Sequence, residues 1–298
     1  PDKAKANNAL YTDALKADNY AEAATHLEWL LVNTPNLNKS IYINGAKIYE
    51  NLWNVETDPV KKKALGEKTL EMFDLRIKYF NDEPDVINRK ALVAYKILKD
   101  DKTRIQELLN LFDRTYELNK NAMFDGNLVA YMDVLRRYKA FGNPLTDAAV
   151  LDKYFIISDM IDYKEANGAK VHPSVRDNVE KLLLAIVPVI DCQIIISDFG
   201  PKFETNPELD LAKKIFKMML TGKCIDDPLA LKAAKVVDAS EPSYGIKIFI
   251  GGQAALADDK ETAIKYFEQA LTLTDENVKK GDLYLKIARI KATQGLKS

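Results

Sequence analysis

The chain has 298 residues, enough to bury a large core, and its 47% hydrophobic and 29% charged residues are ordinary for a globular protein. Its 43 basic residues are balanced by 44 acidic ones, so it lacks the positive field of a dedicated nucleic-acid binder. No run of about 18 apolar residues could serve as a transmembrane segment.

Apolar residues recur with helical periodicity along the chain, and Pro, Gly and Asp punctuate the turns. Both Asp58-Pro59 and Asp227-Pro228 place Asp at a helix N-cap and Pro at the first helical position. In chain order, the pattern predicts seven helix pairs and a last single helix: 4–16 with 20–33, 38–54 with 59–80, 86–98 with 102–118, 122–141 with 146–166, 174–187 with 189–203, 208–221 with 227–239, 243–257 with 260–273, and 277–294. Each amphipathic pair has to stack on its neighbours to bury its apolar face.

Two segments near the ends of the chain share one pattern of small and large residues. Position by position, Ala23 matches Ala263, Leu27 matches Phe267, and Leu30 matches Ala270. Both segments resemble the tetratricopeptide repeat, a helix–turn–helix unit of about 34 residues with small residues near positions 8, 20 and 27. The last segment has Gly251 near position 8, whereas the first departs from the pattern there with Tyr11.

The periodicity and this resemblance together predict an all-α, right-handed α-solenoid of about seven helix–turn–helix pairs plus a C-terminal capping helix. We expect one superhelical domain over residues 1–298. Its clearest repeats are 4–35 and 243–275, and longer, atypical pairs fill 38–239. The last helix looks like the first helix of a further pair, so it either caps the solenoid or once had a partner in a longer chain.

The middle of the chain is similar to extracytoplasmic repeat proteins of Bacteroidetes-type bacteria. The segments that carry this similarity are 52–83, 192–207, 224–228 and 241–245. It implies repeat architecture and a cell-envelope location, either periplasmic or outer-membrane-associated after secretion across the inner membrane. Because the chain starts at Pro1 without a visible signal peptide, we expect a precursor with a cleaved or lipidated leader, which could supply a lipid anchor.

Cys192 and Cys224 are the only cysteines. If they lie at one edge of neighbouring antiparallel helices, they are close enough to form a disulfide, which needs an oxidising compartment. The alternative is two buried free cysteines, which are common in helical cores. The similarity to extracytoplasmic repeat proteins favours the disulfide. A catalytic thiol is not indicated, because neither cysteine belongs to a CxxC motif.

A solenoid presents an extended concave surface built from the first helix of each pair. By repeat position, the predicted partner-binding residues are Asn8, Thr12 and Lys16 in the first pair and Tyr42, Ala46 and Tyr49 in the second. Tyrosine is a good anchor because it combines a large apolar ring with a polar tip. The alternative for Tyr42 and Tyr49 is that they pack between helices.

The functional prediction is a non-enzymatic protein–protein interaction scaffold of the bacterial cell envelope, with envelope proteins as partners and no cofactor. The alternative is a glycan- or peptide-binding module of an uptake or secretion system. That module would need exposed aromatic platforms, whereas we expect Trp29 and Trp53 to lie in the core. An enzyme is not indicated, since the sequence contains no phosphate loop and no zinc-ligand spacing around His26 or His172.

Overall fold

The computed structural model describes residues 2–188 and 191–295, and within them the chain forms helices and turns without a strand. The predicted all-α fold is therefore confirmed. The helices are α1 (Asp2–Lys16), α2 (Tyr20–Asn33), α3 (Ser40–Val55), α4 (Pro59–Phe80), α5 (Glu83–Leu98), α6 (Ile105–Asn119), α7 (Asp125–Ala140), α8 (Asp147–Ala166), α9 (Pro173–Ile186), α10 (Cys192–Thr205), α11 (Leu209–Thr221), α12 (Pro228–Ser240), α13 (Tyr244–Leu256), α14 (Lys260–Leu271) and α15 (Asn277–Gly295). Residues 189 and 190, where the second helix of the fifth predicted pair was expected to begin, lie outside the described residues.

The first and last repeats share their turn geometry as well as their sequence pattern. After α1 and after α13, Asp18 and Asp258 adopt positive φ angles of 54° and 58°. The next residue caps the following helix in both cases: Asn19 accepts a hydrogen bond from the N–H of Glu22, and Asp259 accepts one from the N–H of Thr262. These matched caps show that the two segments are the same structural unit.

The chain divides into two compact units, residues 1–186 and 187–298. In the second unit, each helix from α10 to α15 packs on the next helix in the chain. The first unit follows the same rule from α1 to α7. In both units the core therefore runs between consecutive helices, as expected of a helical repeat. A single domain over residues 1–298 stays a prediction.

The end of the first unit departs from the predicted pairing. Helix α7 packs mainly against α9 and also contacts α5, whereas its contact with α8 is small. The pairing expected between 122–141 and 146–166 is thus largely replaced by a non-sequential one. Buried apolar residues lie on more than one face of α7, among them Leu128, Ala130 and Met132. Such a helix needs several neighbours to cover it.

Close packing explains the small residue in the last repeat. A Cβ atom added to Gly251 would lie 2.7 Å from Cε1 of the buried Phe267 ring. In the first repeat the equivalent residues are Tyr11 and Leu27, both buried. The first repeat therefore has the larger Tyr11 in place of Gly251 and the smaller Leu27 in place of Phe267.

Two adjacent glycines of α13 offer a matched test of this packing. We expect Gly251→Ala to lower the free energy of unfolding by about 1–3 kcal/mol, because the new methyl group overpacks the core. Gly252→Ala should raise it by about 0.5–1 kcal/mol, because alanine favours helix and a Cβ there meets no atom within 4 Å. Urea unfolding of both variants checks this, and Gly251→Ala with Phe267→Leu should recover part of the loss. Equal effects at the two glycines would contradict the overpacking.

A buried carboxylate joins α5 to α7. Asp133 accepts hydrogen bonds from Tyr95 Oη at 2.8 Å, Arg136 Nε at 2.7 Å and Arg137 Nε at 2.5 Å. Burial alone would raise the pKa of Asp133, but the hydrogen bonds from Arg137, Tyr95 and Arg136 outweigh it and hold that pKa below its ordinary value. The charged form of Asp133 therefore stabilises the fold.

This lowered pKa predicts a pH dependence with a defined sign. The stabilisation is complete above the unfolded pKa of Asp, about 3.9, and is lost as the pH falls through the lower folded-state pKa. We expect Asp133→Asn to cost about 1–3 kcal/mol at pH 7 and progressively less below about pH 4. Urea unfolding of the wild type and the variant from pH 7 to pH 3 measures the difference. A difference that does not change with pH would contradict this role of the carboxylate.

Candidate binding surfaces

The predicted partner-binding residues of the first pair lie along one face of α1, four positions apart. Asn8 and Thr12 are half-buried, and the Thr12 hydroxyl donates to the Asn8 carbonyl at 2.6 Å. Lys16 is exposed and pairs with Asp13 at 3.3 Å. Lys16 is thus the most accessible of the three, and partner binding by this face stays a prediction.

The structure corrects the expectation for the second pair. Tyr42 and Tyr49 are only 1% and 2% exposed, and Ala46 is buried with them. The Tyr42 hydroxyl donates to the Pro35 carbonyl at 2.9 Å, and the Tyr49 hydroxyl donates to Glu28 at 3.1 Å. Burial raises the pKa of Tyr42 to about 12. These side chains pack between helices, the alternative that the sequence left open, and do not project as anchors.

The accessible face of α3 is rotated by one residue from the predicted one. Ile43 and Lys47 directly follow Tyr42 and Ala46, and both are exposed. They border a cleft of about 310 Å³ formed by α3, α4 and α5. Its lining residues are Tyr42, Ile43, Ala46, Lys47, Glu50, Phe73, Arg76, Val86 and Arg89. Helix α3 therefore contributes to a surface cleft in which the predicted Tyr42 and Ala46 are buried, while the neighbouring Ile43 and Lys47 are exposed.

The second unit contains a larger and more apolar surface, which we call the α13–α15 groove. It encloses about 540 Å³, and its lining residues are Ile225, Ile248, Phe249, Gly252, Gln253, Ala255, Leu256, Phe267, Lys286, Arg289 and Ile290. Leu256 is 80% exposed. The lining contains two cationic residues and no acidic one. Sequence reasoning missed this groove, although α13 is apolar around most of its circumference, a signal that such a helix needs an additional partner.

The two cysteines lie at one edge of the second unit and are bonded to each other. Cys192 is the first residue of α10, and Cys224 follows the end of α11 after a turn at Lys223 with a φ of 58°. Their Cα atoms are 5.6 Å apart, and the disulfide closes a loop between two cysteines that are 32 positions apart in the sequence. This crosslink ties the start of α10 to the loop that leads into α12.

Both tryptophans are half-buried, so the expectation that they lie in the core is wrong. Each indole has a lysine over its face: Lys3 Nζ is 5.2 Å from the Trp29 ring centroid, and Lys62 Nζ is 4.9 Å from that of Trp53. These are cation–π contacts within the chain. The indole faces are therefore already occupied on one side.

The described residues hold no group of three or more His, Cys, Asp or Glu side chains placed to bind a metal ion. His26 Nδ1 lies 3.1 Å from Asn7 Oδ1, and His172 Nδ1 lies 2.7 Å from the Ser174 hydroxyl. None of the helices described is long and apolar enough to cross a lipid bilayer. The two histidines are thus engaged in local polar contacts.

The fold and surfaces define an all-α helical-repeat protein whose first and last repeats are tetratricopeptide-like. No family model matches the chain, and no curated protein matches its sequence. Among solved structures, it is similar to a tetratricopeptide repeat protein from Parabacteroides merdae, with 14% identity, a TM-score of 0.41, and coverage of 96% of this chain and 99% of that one. It is also similar to PilW, a widely conserved type IV pilus biogenesis factor, with 11% identity, a TM-score of 0.33, and coverage of 90% and 92%. Similarity at this level carries no argument about function.

Proposed function

We propose that the chain is a non-enzymatic scaffold of the bacterial cell envelope that binds partner proteins on the face formed by its first helices. The observation that carries this proposal is the α13–α15 groove, in which apolar side chains such as Leu256 remain in solvent. Removing such apolar surface from water is favourable and provides a driving force for association with a partner. Exposed apolar patches framed by polar residues are typical of protein-binding sites.

The disulfide supports the envelope location. Disulfides persist in oxidising compartments such as the periplasm and are rare in the cytosol. The bond between Cys192 and Cys224 joins the start of α10 to the loop before α12, so it is part of the folded structure of the second unit. A periplasmic or outer-membrane-associated protein, with envelope components as partners, fits this chemistry.

The tryptophans favour this proposal over a glycan-binding module. A sugar-binding platform needs an open aromatic face. Lys3 covers one face of the Trp29 indole, and Lys62 covers one face of the Trp53 indole. Both rings are also half-buried. The α13–α15 groove has no tryptophan or tyrosine in its lining. Its aliphatic and phenylalanine side chains suit an apolar protein surface better than a sugar.

Site-specific photo-crosslinking in the native compartment tests the proposed function. A photoreactive residue at position 256 lies at the groove, and one at position 60 replaces an equally exposed apolar side chain, Val60, that lines no cleft described above. We expect a discrete crosslinked partner from position 256 and none from position 60. Crosslinks of the same kind from both positions, or none from position 256, would count against the proposal.

A further inference from the structure

We infer that the α13–α15 groove binds an amphipathic helix whose apolar stripe is flanked by carboxylates. This inference deepens the proposed function and rests on it, since it names the chemistry of the partner. It is carried by three features of the groove: its helical walls, the charge of its lining, and its length.

The helical walls of the groove favour a partner segment whose backbone hydrogen bonds are formed within the segment itself. Helix backbone groups are paired within the helix, and near the end of α13 the carbonyls of Gln253 and Ala255 accept from the N–H groups of Ala257 and Asp258. The Gln253 side-chain amide donates to the Ile225 carbonyl at 3.1 Å. An extended segment would press unpaired N–H and C=O groups against apolar side chains, which is costly. A helical segment avoids this cost.

The charge of the lining selects an acidic partner. Lys286 and Arg289 both project from α15, and the lining has no Asp or Glu. Arg289 is exposed and forms no ion pair with any described residue, whereas Lys286 pairs with Asp282 one turn away at 2.6 Å. That pair is solvent-exposed, so it contributes little and can be exchanged for another carboxylate. Acidic residues on the flank facing α15 would complement both cations.

The length of the groove sets the register of the occupant. The lining residues of α13 run from Ile248 to Leu256, which corresponds to about 12 Å of helix. A partner helix would therefore place apolar side chains at positions i, i+3, i+4 and i+7, which lie on one face over two turns. Its flanking carboxylates would lie beside this stripe.

The test uses the full oxidised chain and three labelled synthetic peptides of one length. The first has Leu at i, i+3, i+4 and i+7 with flanking Glu, the second has Lys in place of Glu, and the third is the Glu peptide with a central Pro that breaks the helix. We expect the Glu peptide to bind at least about ten-fold more tightly than either of the others in fluorescence anisotropy titrations. Equal binding of the Glu and Lys peptides would overturn the acidic preference, and equal binding of the Pro peptide would overturn the helical one.

Charge reversal localises the binding. Arg289→Glu should weaken binding of the Glu peptide by about ten-fold or more and improve binding of the Lys peptide, a gain that misfolding cannot produce. The control Lys265→Glu makes the same charge change on the exposed face of α14, away from the groove lining. Gly252→Leu should block the groove, since Gly252 lines it and a Cβ added there meets no atom within 4 Å. Identical effects of Arg289→Glu and Lys265→Glu would overturn the inference.

The inference and the proposed function fail in distinguishable ways. If a partner crosslinks at position 256 but an excess of the Glu peptide does not displace it, the acidic-helix inference is wrong and the scaffold function stands. If the Glu peptide binds through Arg289 but no partner crosslinks at position 256 in the native compartment, the scaffold function is wrong and the chemistry of the groove stands.

Discussion

Phe112→Ala is expected to lower the free energy of unfolding of the first unit by about 3–5 kcal/mol. Phe112 on α6 is fully buried and stacks on Tyr131 of α7, with ring centroids 5.5 Å apart. It also packs nearly perpendicular to the ring of Tyr95 of α5, with ring centroids 6.5 Å apart. One side chain thus joins three helices, and its removal leaves a cavity that rigid neighbours cannot fill.

Tryptophan fluorescence is the natural measurement for Phe112→Ala. Both tryptophans, Trp29 and Trp53, belong to the first unit, so their urea-unfolding curve reports on that unit. The control is Phe124→Ala, since Phe124 is 45% exposed. We expect Phe124→Ala to lower the free energy of unfolding by less than about 1 kcal/mol. Folding buries less of the Phe124 side chain than of the Phe112 side chain. Similar losses from the two variants would show that Phe112 does not join α5, α6 and α7 as described.

The sequence predicted the helices well because their signals are local. Asp58 and Asp227 cap α4 and α12 as expected, with Asp58 accepting from the N–H groups of Val60 and Lys61 and Asp227 from that of Leu229. A capping side chain and a proline act within one turn, so no knowledge of distant residues is needed. The match between the first and last repeats is local for the same reason.

The pairing of α7 and the accessible face of α3 could not be predicted in this way. Successive residues on a helix point about 100° apart, so an error of one position exchanges the exposed Ile43 for the buried Tyr42. For α7, periodicity shows that several faces are apolar but does not identify which helix covers each face. That choice depends on contacts between residues far apart in sequence, as the packing of α7 on α9 illustrates.

The α13–α15 groove was missed for a related reason. A repeat pattern identifies the positions that pack inside one pair, and it correctly marked Gly251 and Phe267. It says nothing about apolar residues in excess of those the pair needs, such as Leu256. The groove exists because α13 carries more apolar surface than α14 and α15 cover. A search for helices with surplus apolar faces would find such sites from sequence.

Removal of the disulfide is expected to lower the free energy of unfolding of the second unit by about 3–4 kcal/mol. The bond between Cys192 and Cys224 closes a long loop, which in the chain-entropy view restricts the unfolded chain far more than the folded one. In the folded chain, the turn after α11 already returns Cys224 to the start of α10. The Cys224 N–H donates to the Met219 carbonyl at 2.8 Å, so the local backbone holds this position as well. The expected loss therefore comes mainly from greater freedom of the unfolded state.

The Cys192→Ala, Cys224→Ala double variant separates this loss from other effects of reductant. Wild-type protein treated with reductant and the untreated double variant should unfold at similar denaturant concentrations, and reductant should not change the double variant further. Far-UV circular dichroism follows unfolding, and alkylation of protein taken directly from its native compartment reports the thiols. If the cysteines label readily without reductant, the bond is absent in the cell. The support that the disulfide gives to an envelope location would then be lost, whereas the groove on α13 and α15 would keep its apolar and cationic lining.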